Sequence, residues 1–226
     1  MLRLPEAMNA SLSHIKVVSF DAEGTLATHA YSQAIWREVV PQLYGSVRGL
    51  SRDEASARVF AEYQTIGPGR EEWYDIGYWF RRFGLGDPVP VMERHRSLVE
   101  LYPEVPSVLG ALSTRFILVV SSSTPCEFLE PMLRDVRHLF ERVFSSTSEC
   151  GRLKDEAFFR WTAAELGVSP AEIVHVGDNW ERDYVGAAAA GCVAMFLDRT
   201  ARSNGGISTL QEFAARLTVA DPPAAS

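Results

Sequence analysis

The chain has 226 residues, 46% hydrophobic and 23% charged, the balance of an ordinary globular protein with room for one sizeable core or for a core carrying a smaller inserted unit. A formal net charge of −7, with no concentrated basic patch to offset it, argues against nucleic acid or an anionic membrane surface as a partner. Cys126, Cys150 and Cys192 form no CxxC pair, the first fifteen residues lack a signal-peptide core, and no apolar run has bilayer length, so a cytoplasmic protein is expected.

The first apolar run, IKVVSF (15–20), reads as a strand buried on both faces, and it runs directly into two carboxylates, Asp21 and Glu23, and a glycine. From 31 to 100 no convincing strand follows. Amphipathic patterns at 31–45, at 51–67 with Ser51 in an N-cap position, and at 71–84 each close on a glycine and predict an inserted helical cap of about seventy residues. On the last of these, Trp73, Ile76, Phe80 and Phe83 fall at helical spacing and are expected to pack inward, leaving Tyr74, Tyr78 and Arg81 for a ligand. GDPVPVMER (86–94) breaks the chain before a return at LYPEVP (101–106).

From 105 onward the pattern alternates. Apolar runs at 115–120, 142–146, 172–177 and 192–197 are separated by helical patterns at 105–115, 125–136, 155–167 and 181–191. Such alternation predicts right-handed crossovers and an α/β fold, a doubly wound, Rossmann-like parallel sheet. The expected core domain is 1–30 with 101–226, the cap is 31–100, and the tail VADPPAAS is expected to fray.

Ligands of such a sheet bind outside the carboxyl ends of its strands, so the polar residues there are the candidates. They are Asp21 and Glu23, then Ser121 with Ser122 and Ser123, then Asp178, with Lys154 just before a helix. Each has a plainer alternative as a turn or a solvated surface residue. Lys154 stands out because Lys16 and Lys154 are the two lysines among 22 basic residues. Where arginine fills the generic cationic positions, a retained lysine implies a need for a compact ammonium.

DAEGTL, VVSSST, GRLKDEAFF and VGDNWERDYVGAAAAG resemble, in order and spacing, the four motifs of the haloacid dehalogenase superfamily. The resemblance spans 15–30 and 101–200; the inserted helices are similar to that superfamily's cap in position and type alone. It implies a Mg²⁺-dependent phosphohydrolase acting on a small phosphorylated substrate, with Asp21 as the nucleophile that forms an aspartyl phosphate. It further implies Mg²⁺ held by Asp21, Asp178 and the backbone carbonyl of Glu23, phosphoryl oxygens held by Ser121, Ser122 and Lys154, and Asp183 orienting Lys154 or the metal's waters.

Two positions depart from that pattern. Ser122 stands where relatives often carry asparagine, and Glu23 stands where the phosphatases usually carry the aspartate that protonates the leaving alcohol. An added methylene displaces that acid by about a bond length, and errors of ~1 Å in such geometry can cost ~10²-fold. Glu23 is thus a repositioned acid or the mark of a slow reaction. Two other readings remain open: a 2-haloacid dehalogenase-like enzyme working without metal, and a weakly catalytic phosphate-binding or regulatory module. Phosphonate cleavage would need a cap lysine, and 31–100 has none.

Overall fold

The computed structural model describes residues 12–202 and 206–219. Among these, strands β1 (Val17–Phe20), β2 (Ile117–Ser122), β3 (Arg142–Ser145), β4 (Ile173–Gly177) and β5 (Val193–Phe196) form one sheet in the order β3-β2-β1-β4-β5. All pairings are parallel. β1 and β4 are buried at every position, because their apolar residues face helices on both sides of the sheet. Each fully buried Val, Ile or Phe in such a strand contributes about 1.5–3 kcal/mol. The registers Val17↔Ile117 and Val17↔Ile173 align the strands so that the residues after β1, β2 and β4 meet at one edge. β1 lies between β2 and β4, where the strand order reverses.

The helices between β1 and β2 follow the predicted pattern with instructive differences. α1 (Ala30–Ala34) passes through a π-helical turn (Ile35–Val39) into α2 (Val40–Arg48). The expected stop at Gly45 is corrected to Gly49, which takes the left-handed φ of 64° that ends the helix. Gly45 serves packing instead: a Cβ there would lie 3.0 Å from the Cβ of Ala55 on α3 (Arg52–Ile66). α3 opens as predicted at Ser51, which forms a reciprocal capping box with Glu54. The 71–84 pattern divides into a 3₁₀ turn (Glu71–Trp73) and α4 (Ile76–Phe83), since the Asp75 carboxylate accepts from the Tyr78 N–H at 2.8 Å and restarts the helix there. Ile76, Phe80 and Phe83 are buried as expected, and Trp79 joins them. α5 (Val89–Arg94) completes the insertion.

Beyond it, α6 (Val105–Leu112), α7 (Cys126–Leu133), α8 (Ser146–Cys150) and α9 (Glu156–Leu166) alternate with the strands. A π-helical turn (Trp180–Val185) leads into α10 (Gly186–Ala190), and α11 (Leu210–Val219), which the sequence pattern did not predict, closes the described chain. Phe213 of α11 meets Phe20 edge-on at 5.8 Å. One apolar cluster runs from Val18, Phe20 and Val120 into Tyr31, Val59 and Trp79 of the inserted helices. A second, built on Val17, Val119, Phe158 and Ala187, covers the opposite face.

The two segments joining the insertion to the sheet lie side by side. Ala27 bridges Leu101 in antiparallel fashion, the Thr28 N–H donates to Glu100 O at 2.8 Å, and the Tyr102 N–H donates to Leu26 O at 3.0 Å. Arg199, after β5, donates to Gly24 O at 3.1 Å, to Thr25 O at 2.7 Å and to the Glu104 carboxylate at 2.7 Å. Its guanidinium carbon lies 3.5 Å from the Tyr102 ring centroid. Of the tail expected to fray, 219–226, Val219 ends α11 and 220–226 lie outside the described residues, as does most of the N-terminal stretch weighed against a signal peptide. No helix among the described residues is long and apolar enough to cross a membrane.

Candidate active site

A cavity of about 190 Å³ opens at the carboxyl edge of the sheet, lined by Asp21, Glu23, Ser122, Lys154, Asp178 and Asp183. His29 just before α1, Ser32, Trp36 and Tyr74 from the insertion, and Phe128 and Arg182 form the rest of the wall used below.

Asp21 follows β1 directly, and its Oδ1 accepts from Ser122 Oγ at 2.9 Å and from Lys154 Nζ. Lys154 is held from both ends. Its backbone N–H donates to Ser123 Oγ at 2.9 Å, while Nζ donates to Ser121 O at 3.1 Å and pairs with Asp183. Asp155, next in the chain, caps α9 by accepting from the Phe158 N–H at 2.9 Å, which fixes where the lysine leaves the loop. Asp183 Oδ2 accepts from the Asn179 N–H at 2.8 Å. A Cβ at Gly177 would lie 2.3 Å from the Asp183 carboxyl carbon, so glycine lets the strand end approach that carboxylate.

Behind Asp183 lies His175, fully buried, with Nε2 at 3.2 Å from Asp183 Oδ1 and Nδ1 at 2.9 Å from Ser19 Oγ. Burial pushes its pKa down, which favours the neutral ring. One tautomer satisfies both contacts: Nε2–H donates to Asp183 and Nδ1 accepts from Ser19.

Charge in this cluster does not balance. Burial opposes the Lys154 charge, yet Asp183 and Asp21 outweigh it and hold the ammonium above its ordinary pKa. Burial likewise raises Asp183, but Lys154 and His175 overcome it and hold the carboxyl well below the usual range. For Asp21, burial prevails over Lys154 and the pKa goes up. Asp178 is pushed up to about 7 by burial, then by Asp21 and Asp183. The cluster needs more positive charge than Lys154 supplies.

One ligand oxygen from each of Asp21, Asp178 and Asp183 can be chosen so that all lie within 4.8 Å of one another. Hard oxygen donors with an uncompensated negative charge fit Mg²⁺. Gly24 shapes the same spot: at φ 82°, a Cβ would lie 2.2 Å from Asp178 Oδ2, so the loop after Glu23 can rest against that carboxylate only as glycine.

Glu23 points toward α1. Its carboxylate accepts from Ser32 Oγ and lies 3.4 Å from His29 Nδ1, while His29 Nε2 is 3.9 Å from Asp178. The hydrogen bond to Glu23 raises the His29 pKa against the opposing effect of burial.

The predicted residues Asp21, Glu23, Ser122, Lys154, Asp178 and Asp183 therefore gather at one cavity, and one expectation is corrected. The Ser121 hydroxyl is sealed away without a partner and does not line the cavity; its carbonyl holds Lys154, and the hydroxyl at Asp21 is that of Ser122. Successive strand residues face opposite ways, so the last residue of β2 rather than the one before it presents its hydroxyl. Of the three residues proposed for a ligand on α4 and its approach, Tyr74 alone lines the cavity; Tyr78 packs on Trp79 and Arg81 turns to Asp75 at 3.6 Å. His29, Ser32, His175 and Arg182 were not anticipated.

A doubly wound parallel sheet with an aspartate, a buried lysine and an acidic pair at its switch point defines an α/β enzyme site. The chain belongs to the haloacid dehalogenase-like hydrolase family, which it matches over residues 15–191. It is 27% identical over 202 residues to a glyceraldehyde 3-phosphate phosphatase of Methanopyrus kandleri, covering 82% of this chain and 84% of that protein. It is 30% identical over 191 residues to a phosphoserine phosphatase of Thermus thermophilus, covering 76% and 74%. The crystal structure of a phosphatase of this family from Thermococcus onnurineus superimposes with a TM-score of 0.78 at 27% identity, covering 90% of this chain and 98% of that one.

Proposed function

We propose that this protein is a Mg²⁺-dependent phosphohydrolase that cleaves a small phosphate monoester through an aspartyl phosphate on Asp21, with 31–100 acting as its helical cap. The observation that carries this is the buried Asp21–Lys154–Asp183 chain beside Asp178, a carboxylate left short of positive charge at the mouth of a cavity. The named phosphatase relatives support the choice of phosphate as the group transferred.

Both contacts to Asp21 fall on Oδ1, so Oδ2 serves as the attacking oxygen. Bound by Asp21, Asp178 and the Glu23 carbonyl, Mg²⁺ would supply positive charge to phosphoryl oxygens that otherwise repel a carboxylate. Lys154 and Ser122 add fixed donors on the same side. As the Asp21 Oδ2–P bond forms and the P–O ester bond breaks, Glu23 delivers to the leaving alkoxide the proton it shares with His29. Glu23, now a carboxylate, takes a proton from water as that water attacks the phosphorus, freeing phosphate and restoring Asp21. Ser32 and His29 hold Glu23 for both steps.

The test uses Mg²⁺-supplemented turnover of a panel of small phosphate esters, with Asp21→Asn alongside. The expected outcome is hydrolysis that chelation abolishes, a phosphate-mass adduct trapped on wild type, and neither adduct nor turnover in the variant. A variant that kept a tenth of the activity would overturn the mechanism, and halide release from a 2-haloacid that survives chelation would replace it with dehalogenation.

A further inference from the structure

Arg182 lies on the π-helical turn after β4 and lines the same cavity as Asp21. One of its Nη atoms donates to the Tyr74 hydroxyl at 3.2 Å, and the guanidinium carbon is 5.4 Å from the Tyr74 ring centroid. Several other arginines hold carboxylates, as Arg82 holds Glu62, Arg134 holds Glu93, Arg142 holds Glu165 and Arg199 holds Glu104. Among the described residues Arg182 enters no such pair. A guanidinium has five N–H donors, and the tyrosine hydroxyl takes one.

The other cationic groups on the cavity wall are committed. Lys154 is held by Asp21 and Asp183, and His29 by Glu23. Trp36, Tyr74 and Phe128 supply aromatic wall, with Trp36 and Phe128 stacked at 5.5 Å. A substrate whose phosphate is taken by the Asp21 end meets, on its other end, aromatic faces and one guanidinium with donors to spare. At about 190 Å³ the cavity is smaller than the ~300 Å³ at which sites for larger ligands begin, which favours a compact second anion. The planar fork of arginine matches a carboxylate through two parallel hydrogen bonds.

We propose that Arg182, oriented by Tyr74, binds a carboxylate on the non-reacting end of the substrate and so selects phosphate monoesters of short hydroxy acids. This rests on the phosphohydrolase reading above. A neutral tail leaves the guanidinium partly desolvated and unpaired, so discrimination comes from the loss on the wrong substrate as well as the gain on the right one.

The experiment compares kcat/KM for 2-phosphoglycolate and for 2-hydroxyethyl phosphate, which replaces the carboxylate by a neutral group, in wild type, Arg182→Gln and Arg182→Lys. Wild type is expected to prefer the carboxylate ester. Arg182→Gln should cut that preference by about 10- to 100-fold, mostly through KM, as expected for one charge-assisted contact. Arg182→Lys should recover part of it, keeping the charge and losing the fork. Equal losses on both esters would make Arg182 a strut for Tyr74 and overturn the proposal, as would a wild type without preference.

If neither ester is hydrolysed, the wider phosphate-ester panel decides the phosphohydrolase reading separately, and calorimetry on the Mg²⁺-loaded protein decides the subsite. Phosphonoacetate should then bind more tightly than ethylphosphonate in wild type, with the difference lost in Arg182→Gln; equal affinities refute it. Circular dichroism of both variants guards against misfolding.

Discussion

Replacing Lys154 by methionine keeps much of the side chain's length and deletes its charge. The lysine side chain is 3% exposed, and its removal leaves Asp21 and Asp183 facing each other with no cation between them. Breaking a buried pair by removing one partner costs about 3–5 kcal/mol, against ~0–1 for exposed pairs such as Arg160–Glu156. Urea unfolding of the chelated protein near neutral pH, followed by tryptophan fluorescence, is the assay. With a slope of ~2 kcal/mol/M, the midpoint should fall by about 1.5–2.5 M. Adding Asp183→Asn to the methionine variant should return part of the loss, because the two residues share one network and their effects are not additive. Mg²⁺ should raise the midpoint of Lys154→Met more than that of wild type, since the ion enters a cluster richer in negative charge. A loss under ~1 kcal/mol, with a double variant equal to the sum of the singles, would refute the account of Lys154 as the charge that holds this cluster together.

Two further outcomes are expected. Because Ser32 and His29 hold the longer acid, Glu23→Asp should slow hydrolysis of an alkyl phosphate by about tenfold and that of an aryl phosphate less, since aryl leaving groups need little protonation; faster alkyl-ester turnover would mean that the glutamate is misplaced. Asp178, pushed up to about 7, carries a proton below that pH in the metal-free protein, so Mg²⁺ must displace it. Affinity is then full above pH 7 and falls as the pH drops, by up to ~tenfold per unit, which a Mg²⁺ titration at pH 6 and pH 8 reads directly; equal affinities would contradict it.

Much of the sheet was legible because a strand covered on both faces must be apolar throughout, and IKVVSF and EIVHVG show that plainly. The carboxylates and Lys154 were legible because they follow strands or precede a helix in a fixed order. What escaped depends on three-dimensional adjacency. Ser19 and His175 are the polar interruptions of two apolar runs, and only the register that sets them opposite each other turns them into a support for Asp183. That shared interruption was the available signal. Ser121 and Ser122 differ only in which way the strand turns them, and a run of three serines hides where β2 ends. His29 and Ser32 lie at the entry to α1, and their reach to Glu23 depends on how that helix packs. α11 was missed although Leu210, Phe213 and Leu217, all buried, recur at helical spacing; that periodicity was the available signal.

Arg199 has a mechanical consequence. One side chain grips the outgoing segment at Gly24 and Thr25 and the returning one at Tyr102 and Glu104. One guanidinium thereby ties the segment leaving β1 to the segment returning toward β2, adding to the Ala27–Leu101 bridge beside it. Gly24, Thr25, Tyr102, Glu104 and Arg199 all lie outside α1–α5, so sequence change confined to those helices leaves this clasp intact.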